Sequence, residues 1–305
     1  MDEVTVHAPA TVSNVVCGFD CLGFALAEPF DVITVRQLTE PTVSIINRDD
    51  YGLPSEPSEN VAGVALLAML QAMDASLGFE VETTKGIKPG SGIGSSSASS
   101  CGAVMAANHL LGNPFTKAEL AGFAMEGEKL ASGAKHADNV APCIFGGFTL
   151  VRSLDPLDIV SLTYPQLFAT VIHPQIEIKT SEARAILPTS VPLADAVRNW
   201  SNLGALVAGL ANSDFDLISR SMVDVIVEPA RRALIPKFDE TKVASIEAGA
   251  LGGGISGSGP SMFMISTSME TAQAVRQAMK EVYSSTGIEF NLYVSGIERE
   301  GVRIV

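Results

Sequence analysis

Residues 89–100 restrict what this chain can fold into more than any other segment. They read Pro-Gly-Ser-Gly-Ile-Gly-Ser-Ser-Ser-Ala-Ser-Ser, with glycine at positions 90, 92 and 94. Glycine accepts left-handed backbone angles and has no side chain to keep a ligand away. The apolar run that follows predicts a helix that reaches about Leu111. A glycine loop that opens a helix directs free N–H groups and the positive end of the helix dipole at one point, so the segment predicts a phosphate site.

Other interpretations of the glycine-rich segments are less favoured. A flexible Gly/Ser linker rarely runs straight into an apolar helix. A P-loop requires Gly-Lys before its Ser or Thr, and the chain has no Gly-Lys dipeptide. Residues 252–257 match G-x-G-x-x-G, but a helical stretch precedes them and a strand-like run follows. A dinucleotide site has the reverse order, strand then helix, so we do not assign one.

Composition and charge narrow the functional classes. A net charge of −14 disfavours binding to nucleic acid or to an anionic membrane surface. An acidic chain that binds polyphosphate must therefore gather cations, including a metal ion, at that site. The first residues lack the basic and apolar regions of a signal peptide, so we expect a cytoplasmic protein. The longest apolar segment, 61–77, is interrupted by Gln71 and Asp74 and is interpreted as a buried helix.

Strand and helix patterns alternate irregularly along the chain. Residues 4–7 and 31–36 alternate as strands, and Thr116 with Glu119 predicts a helix N-terminus with a capping box. The absence of strict βαβ alternation predicts an α+β fold. A turn at residues 153–156 predicts the boundary between two halves, 1–155 and 156–305.

Three blocks resemble the sequence motifs of the GHMP kinases, which include galactokinase, homoserine kinase, mevalonate kinase and phosphomevalonate kinase. The first motif is residues 8–14 with 18–23, the second is the glycine loop (89–98), and the third is 254–261. Their order along the chain makes the resemblance specific. Within the family the chain is most similar to the homoserine kinases, on the segments 18–23, 136–142, 180–188 and 228–236. Cys17 and Lys88 depart from the family pattern, in which proline is common at both positions.

This resemblance implies a fold, a reaction and a location. The fold would be α+β with two closely packed halves and the nucleotide and substrate sites between them. The reaction would use ATP and Mg²⁺ to phosphorylate the side-chain hydroxyl of L-homoserine in threonine biosynthesis. Members of the family are typically cytoplasmic and often dimeric, so a homodimer is expected.

The glycine loop provides the candidate nucleotide-binding residues, which are Pro89, Gly90, Ser91, Gly92, Ile93, Gly94, Ser95, Ser96, Ser97 and Ala98. Mg²⁺ prefers hard oxygen ligands and keeps several waters. By resemblance, Ser96 and Glu128 would hold the metal, with Ser97 as a close alternative to Ser96. A solvated helix residue is the other interpretation of Glu128.

The candidate amino-acid ligands are Arg184 and Arg231, which match the family's positions, because the planar fork of arginine suits a carboxylate. By resemblance Asn14, Asp20 and His136 would bind the remaining polar groups. Arg231 is also open to interpretation as a surface salt bridge, as Arg232 is, and His136 as a hydrogen-bonded loop histidine.

The proton acceptor is the least determined role. Asp138 is the only carboxylate in the block 136–142, and mevalonate kinases use an aspartate from a similar segment. In homoserine kinases the equivalent place corresponds to Asn139. We therefore take Glu128, Asn139 and Asp138 as catalytic candidates and expect that no protein base is required. A kinase for a mevalonate-like alcohol and an inactive ligand-binding regulator of the same fold remain alternatives.

Overall fold

The first motif folds as a long β-hairpin. The computed structural model describes residues 3–73 and 77–305, and in it β1 (Glu3–Val15) pairs antiparallel with β2 (Gly18–Leu38). The sequence patterns predicted only the short strands at 4–7 and 31–36. Residues 8–13 of β1 are buried one after another, because both faces of the strand are covered. Burial on both faces removes the alternation by which a strand is recognised in sequence.

The remaining strands are β3 (Val43–Asn47), β4 (Gly78–Thr84), β5 (Phe148–Leu154), β6 (Leu157–Ser161), β7 (Phe168–Pro174), β8 (Gly252–Ile255), β9 (Met262–Ser266), β10 (Phe290–Gly296) and β11 (Arg303–Ile304). Among the described residues they form two sheets. The seven-stranded sheet has the order β11–β1–β2–β4–β3, and the β5–β6 hairpin pairs with β2. The four-stranded sheet is antiparallel, with the order β10–β7–β9–β8.

The helices are α1 (Val61–Met73), α2 (Ser95–Leu110), α3 (Lys117–Ser132), α4 (Val140–Phe145), α5 (Thr180–Ala185), α6 (Leu193–Asn212), α7 (Phe215–Ser221), α8 (Glu228–Arg231), α9 (Phe238–Glu247) and α10 (Met269–Ser284). Within residues 3–73 and 77–305, no helix is both long and apolar enough to cross a bilayer. Residues 74–76 of the predicted apolar helix lie outside the described residues. The mixture of elements confirms the α+β class.

Helix α2 lies at the centre of the first half of the chain. It packs on β1 and β2, with α1 and α3 beside it. Small residues allow this close approach, since a Cβ at Gly102 would lie 2.3 Å from Ile33 Cδ1. The N-terminus of α2, and with it the glycine loop, is therefore fixed relative to the β1–β2 hairpin.

Local sequence signals agree with several observed boundaries. Thr116 and Glu119 form the predicted capping box at the start of α3. The G-x-G-x-x-G match begins in strand β8 after helix α9, which confirms that the order is wrong for a dinucleotide site. The turn at 153–156 joins β5 to β6, and the chain passes to the four-stranded sheet after β6. The division at residue 155 stays a prediction.

Candidate active site

A cavity of about 330 Å³ lies where the three motifs meet. The predicted site residues that line it are Asn14, Asp20, Pro89, Gly90, Ser91, Gly92, Gly94, Ser95, Ser96, Glu128, His136, Asp138, Asn139, Arg184 and Arg231. Ile93, Ser97 and Ala98 are buried behind this lining. The structure thus brings residues from widely separated segments around one space.

The glycine loop requires glycine where it packs closely against other segments of the chain. Gly92 and Gly94 have φ values of 79° and 72°, in the left-handed region. A Cβ on Gly92 would lie 2.6 Å from the carbonyl oxygen of Gly259, and one on Gly94 would lie 2.0 Å from Thr11 Oγ1. Helix α2 begins directly after Gly94, and the N–H groups of its first turn have no acceptor within the helix. They are available to an anion at the cavity.

The third motif holds the glycine loop through hydrogen bonds to its carbonyl oxygens. Ser256 Oγ donates to Gly92 O at 2.7 Å, and Ser261 Oγ donates to Ser91 O at 2.6 Å. These contacts point the loop's carbonyl groups into the protein. The hydroxyl of Ser91, in contrast, is buried and has no hydrogen-bond partner among the described residues. An unpartnered buried polar group next to the cavity is consistent with a polar ligand there.

Glu128, on α3, accepts hydrogen bonds from two hydroxyls of the first turn of α2. Its Oε2 lies 2.9 Å from Ser96 Oγ and 2.8 Å from Ser97 Oγ. The side chain of Glu128 is buried and lines the cavity. The alternative interpretation, a helix residue exposed to solvent, is therefore wrong. These are the hard oxygen donors that Mg²⁺ accepts. The described residues contain no cluster of three or more His, Cys, Asp or Glu side chains able to hold a metal. A magnesium site here fits only as one carboxylate, one or two hydroxyls and ligand oxygens.

Asn139 precedes α4 and joins the first motif to the cavity. Its Oδ1 accepts from Thr11 Oγ1 at 2.7 Å, and its Nδ2 donates to Ser13 Oγ at 2.8 Å. Both partners lie on β1, so the side chain has one fixed orientation. Helix α4 itself was not predicted from the sequence, because it is a short helix of six residues that contains a proline.

Asp138 is a buried carboxyl group in the cavity wall. Burial, together with the nearby carboxylates of Asp20 and Glu128, raises its pKa to about 7. Gly23 is needed beside it, since a Cβ there would lie 2.0 Å from Asp138 O. The carboxyl group therefore exchanges its proton near neutral pH.

The charged end of the cavity consists of Asn14, Asp20, His136, Arg184 and Arg231. Arg184 Nη2 donates to both carboxylate oxygens of Asp20, at 2.9 and 3.1 Å. His136 Nδ1 lies 3.7 Å from Asp20 Oδ1, and its Nε2 lies 3.3 Å from Arg184 Nη2. The side chains of Arg184 and Asp20 are 43% and 34% exposed, so a ligand can reach both.

Arg231 is buried, with 2% of its surface exposed. Its Nε donates to Ala183 O at 2.9 Å, and its Nη1 donates to Gly257 O at 3.3 Å. Asn14 Nδ2 also donates to Gly257 O, and Asn14 Oδ1 accepts from the N–H of Asp20. The surface salt bridge is instead made by Arg232, which pairs with Asp239 in solvent. Arg231 is therefore part of the cavity wall.

Comparisons with known proteins agree with this arrangement. The profile described as GHMP kinases N terminal domain matches residues 60–147, which contain the glycine loop, and the one described as GHMP kinases C terminal matches residues 201–285. A homoserine kinase of Chloroherpeton thalassium is 45% identical over 319 aligned positions, and one of Chlorobium phaeobacteroides (strain DSM 266) is 46% identical over 320. Both alignments cover 100% of this chain and 100% of the relative.

The chain belongs to the GHMP kinase family. A solved homoserine kinase from Cytophaga hutchinsonii superposes with a TM-score of 0.96 and 50% identity, covering 100% of this chain and 98% of that one. A mevalonate kinase of L. major, in complex with R-mevalonate, shares the fold at 13% identity and a TM-score of 0.74, covering 96% and 95% of the two chains. The predicted resemblance to the GHMP kinases, and to homoserine kinases among them, is confirmed.

Several residues that organise this candidate site were not predicted from the sequence. Thr11 and Ser13 fix Asn139, as described above. Lys85, at the foot of the glycine loop, forms a fully buried ion pair with Asp31 of β2. Lys85 Nζ also donates to Ser95 O at 2.9 Å and to Ser99 Oγ at 3.0 Å. Two sequence features could have indicated this ion pair. Lys85 lies four residues before the loop, and Asp31 is a lone aspartate in an otherwise apolar strand pattern.

Proposed function

We propose that this chain transfers the terminal phosphoryl group of ATP to the side-chain hydroxyl of L-homoserine, giving O-phospho-L-homoserine for threonine biosynthesis. The observation that carries the proposal is the shared cavity. It has the glycine loop at one end and the charged end, with two arginines and an aspartate, at the other. Full-length relatives named homoserine kinase support the same reaction.

The glycine loop would bind the phosphates of ATP. The N–H groups of the first turn of α2 have no acceptor within the helix, and the helix dipole favours negative charge at that end. Ser96 and Glu128 would hold Mg²⁺, with Ser97 able to replace Ser96, because their oxygens already meet at one point. Bound Mg²⁺ would neutralise phosphate charge and orient the phosphate chain.

The charged end would bind the zwitterion of the amino acid. The carboxylate suits Arg184 and Arg231, which both line the cavity. The ammonium group suits Asp20, and Asn14 and His136 add polar partners. In the free protein Asp20 and Arg184 pair with each other, so a zwitterion would replace one ion pair by two. This exchange favours a ligand with both charges over a neutral alcohol.

Positioning and charge stabilisation would carry the reaction without a protein base. Asn139 is held by Thr11 and Ser13 and can orient the attacking hydroxyl by a hydrogen bond. Asp138 lines the same cavity, but its buried carboxyl group is largely protonated below pH 7. In that state it cannot accept the proton of the hydroxyl. Phosphoryl transfer depends mainly on alignment and on neutralising phosphate charge.

A coupled ADP-release assay tests the proposal. L-homoserine, mevalonate, galactose and shikimate are each offered with MgATP, and phosphorus NMR identifies the product. We expect turnover with homoserine to dominate and to give an O-phosphate ester. Dominant turnover of mevalonate would assign the alternative kinase function, and ATP binding without transfer to any alcohol would assign the regulator. A homodimer and a cytoplasmic location remain parts of the proposal that this assay does not address.

A further inference from the structure

The aromatic ring of Phe19 lies beside both arginines of the charged end. The Cζ atom of Arg231 is 5.1 Å from the ring centroid, and that of Arg184 is 5.5 Å from it. Phe19 is the second residue of β2, directly before Asp20, and it is half-buried. The first motif therefore places an aromatic side chain next to two guanidinium groups, one from α5 and one from α8.

The two arginines need such a neighbour because they carry like charges. Burial lowers the pKa of Arg231, and the positive charge of Arg184 lowers it further. The hydrogen bonds of Arg231 use Nε and Nη1, which leaves Nη2 with no acceptor among the described residues. An aromatic face attracts guanidinium groups through its quadrupole, most strongly where water is excluded. The ring can therefore hold both guanidinium groups in place while leaving their positive charges available to a substrate carboxylate.

The position of Arg184 depends most on Phe19 when substrate is bound. In the free protein Arg184 is held by Asp20, His136 and Phe19. Under the proposed function, the ammonium group of the substrate competes for Asp20. Phe19 and His136 then remain as the described neighbours of the Arg184 guanidinium.

We propose that Phe19 is a positioning residue that aligns Arg184 and Arg231 for the carboxylate of the amino-acid substrate. This inference rests on the proposed function and deepens it by naming the residue that sets the geometry of carboxylate recognition. A residue that only filled space in the hairpin would affect the glycine loop and the charged end alike. A positioning residue affects binding of the amino acid alone.

The test compares Phe19→Leu, which removes the aromatic face, with Phe19→Tyr, which keeps it. For Phe19→Leu we expect KM for L-homoserine to rise about tenfold, with kcat and KM for ATP within about twofold of wild type. Phe19→Tyr should keep KM for L-homoserine at its wild-type value. Phe215→Leu, at an exposed phenylalanine on α7, is the matched control and should change neither KM.

Two results would overturn the inference. One is an unchanged KM for L-homoserine in Phe19→Leu, and the other is a parallel rise of KM for both substrates. If Phe19→Leu does not fold, Phe19→Met replaces it, because methionine keeps most of the volume without an aromatic face. Failure of the proposed function is seen separately, as wild-type protein that does not phosphorylate L-homoserine at all.

Discussion

At the glycine-loop end of the cavity, backbone and serine side chains face the ligand space, and they come from one short segment, residues 89–96 without Ile93. At the charged end, long side chains do so, and they come from the hairpin, from α5 and α8, and from the loop that holds His136. The loop is packed against backbone of the third motif, whereas Arg184 and Asp20 are partly exposed and neutralise each other. The glycine-loop end is fixed before a ligand binds. At the charged end, a bound zwitterion would replace the ion pair between Arg184 and Asp20 with new ion pairs to each of them.

The largest effect is expected from Glu128, which links the loop to α3. Glu128→Gln keeps the shape of the side chain but removes its negative charge, which accepts hydrogen bonds from Ser96 and Ser97 and would hold Mg²⁺ under the proposed function. We expect kcat to fall roughly 10³-fold, about 4 kcal/mol of barrier, while circular dichroism stays unchanged. Glu126→Gln, two residues away on the same helix and paired with Lys135, is the control and should retain full activity. Comparable losses in both variants would contradict the assignment.

The rigidity of the loop is tested by two glycines that share positive φ but differ in surroundings. A Cβ on Gly92 would lie 2.6 Å from Gly259 O, whereas one on Gly90 meets nothing within 4 Å. We expect Gly92→Ala to lower the free energy of unfolding by about 3 kcal/mol and Gly90→Ala by about 1 kcal/mol, from backbone strain alone. Urea denaturation measures both. Equal losses would show that the contact with the third motif does not restrain the loop.

The charged end is tested by Arg184→Ala. Loss of charge-assisted hydrogen bonds costs ~1.5–3 kcal/mol, so KM for L-homoserine should rise about 10- to 100-fold. KM for ATP should stay near its wild-type value, because the loop is built independently. Arg232→Ala, which removes only the exposed pair with Asp239, serves as the control and should leave both KM values unchanged. A shift of KM for ATP in Arg184→Ala would show that the two ends are coupled.

The smallest catalytic effect is expected from Asp138→Asn. If no protein base is required, kcat should stay within about tenfold of wild type. A loss of roughly 10³-fold or more would instead assign Asp138 as the base.

The same variant has an effect on stability that depends on pH. Burial keeps Asp138 protonated in the folded protein up to about pH 7, whereas the unfolded chain releases this proton near the ordinary value of 3.8. Wild-type stability from the neutral carboxyl is thus complete below the unfolded pKa and is lost as pH rises through the folded one. Relative to wild type, Asp138→Asn should gain about 3 kcal/mol between pH 5 and pH 8. Thermal unfolding at the two pH values measures this difference, and a constant difference would contradict the raised pKa.

The contrast between the two ends also explains what the sequence could predict. The loop was predicted from residues alone, because its glycines and serines are contiguous and their backbone chemistry is local. The α3 capping box is local in the same way. Arg184 and Arg231 lie 47 positions apart in the sequence, and only the resemblance to a family indicated that they act together.

Residues whose role depends on tertiary packing were not predicted. Phe19, Thr11 and the Asp31–Lys85 pair acquire their surroundings from segments that approach only in the folded chain. The long strands β1 and β2 were underestimated for a related reason, since coverage of both faces removes their alternation. In each case the missing information was the identity of the neighbour across space.

The bonds from Ser256 and Ser261 to the glycine loop have a consequence for synthesis of the protein. The loop leaves the ribosome long before these serines, which lie more than 150 positions later in the chain. A nascent chain that ends before residue 256 lacks the donors that turn the carbonyl oxygens of Ser91 and Gly92 away from the cavity. The proposed nucleotide site is therefore completed late in translation, and an isolated fragment 1–155 would contain the whole glycine loop without the hydrogen bonds that orient it.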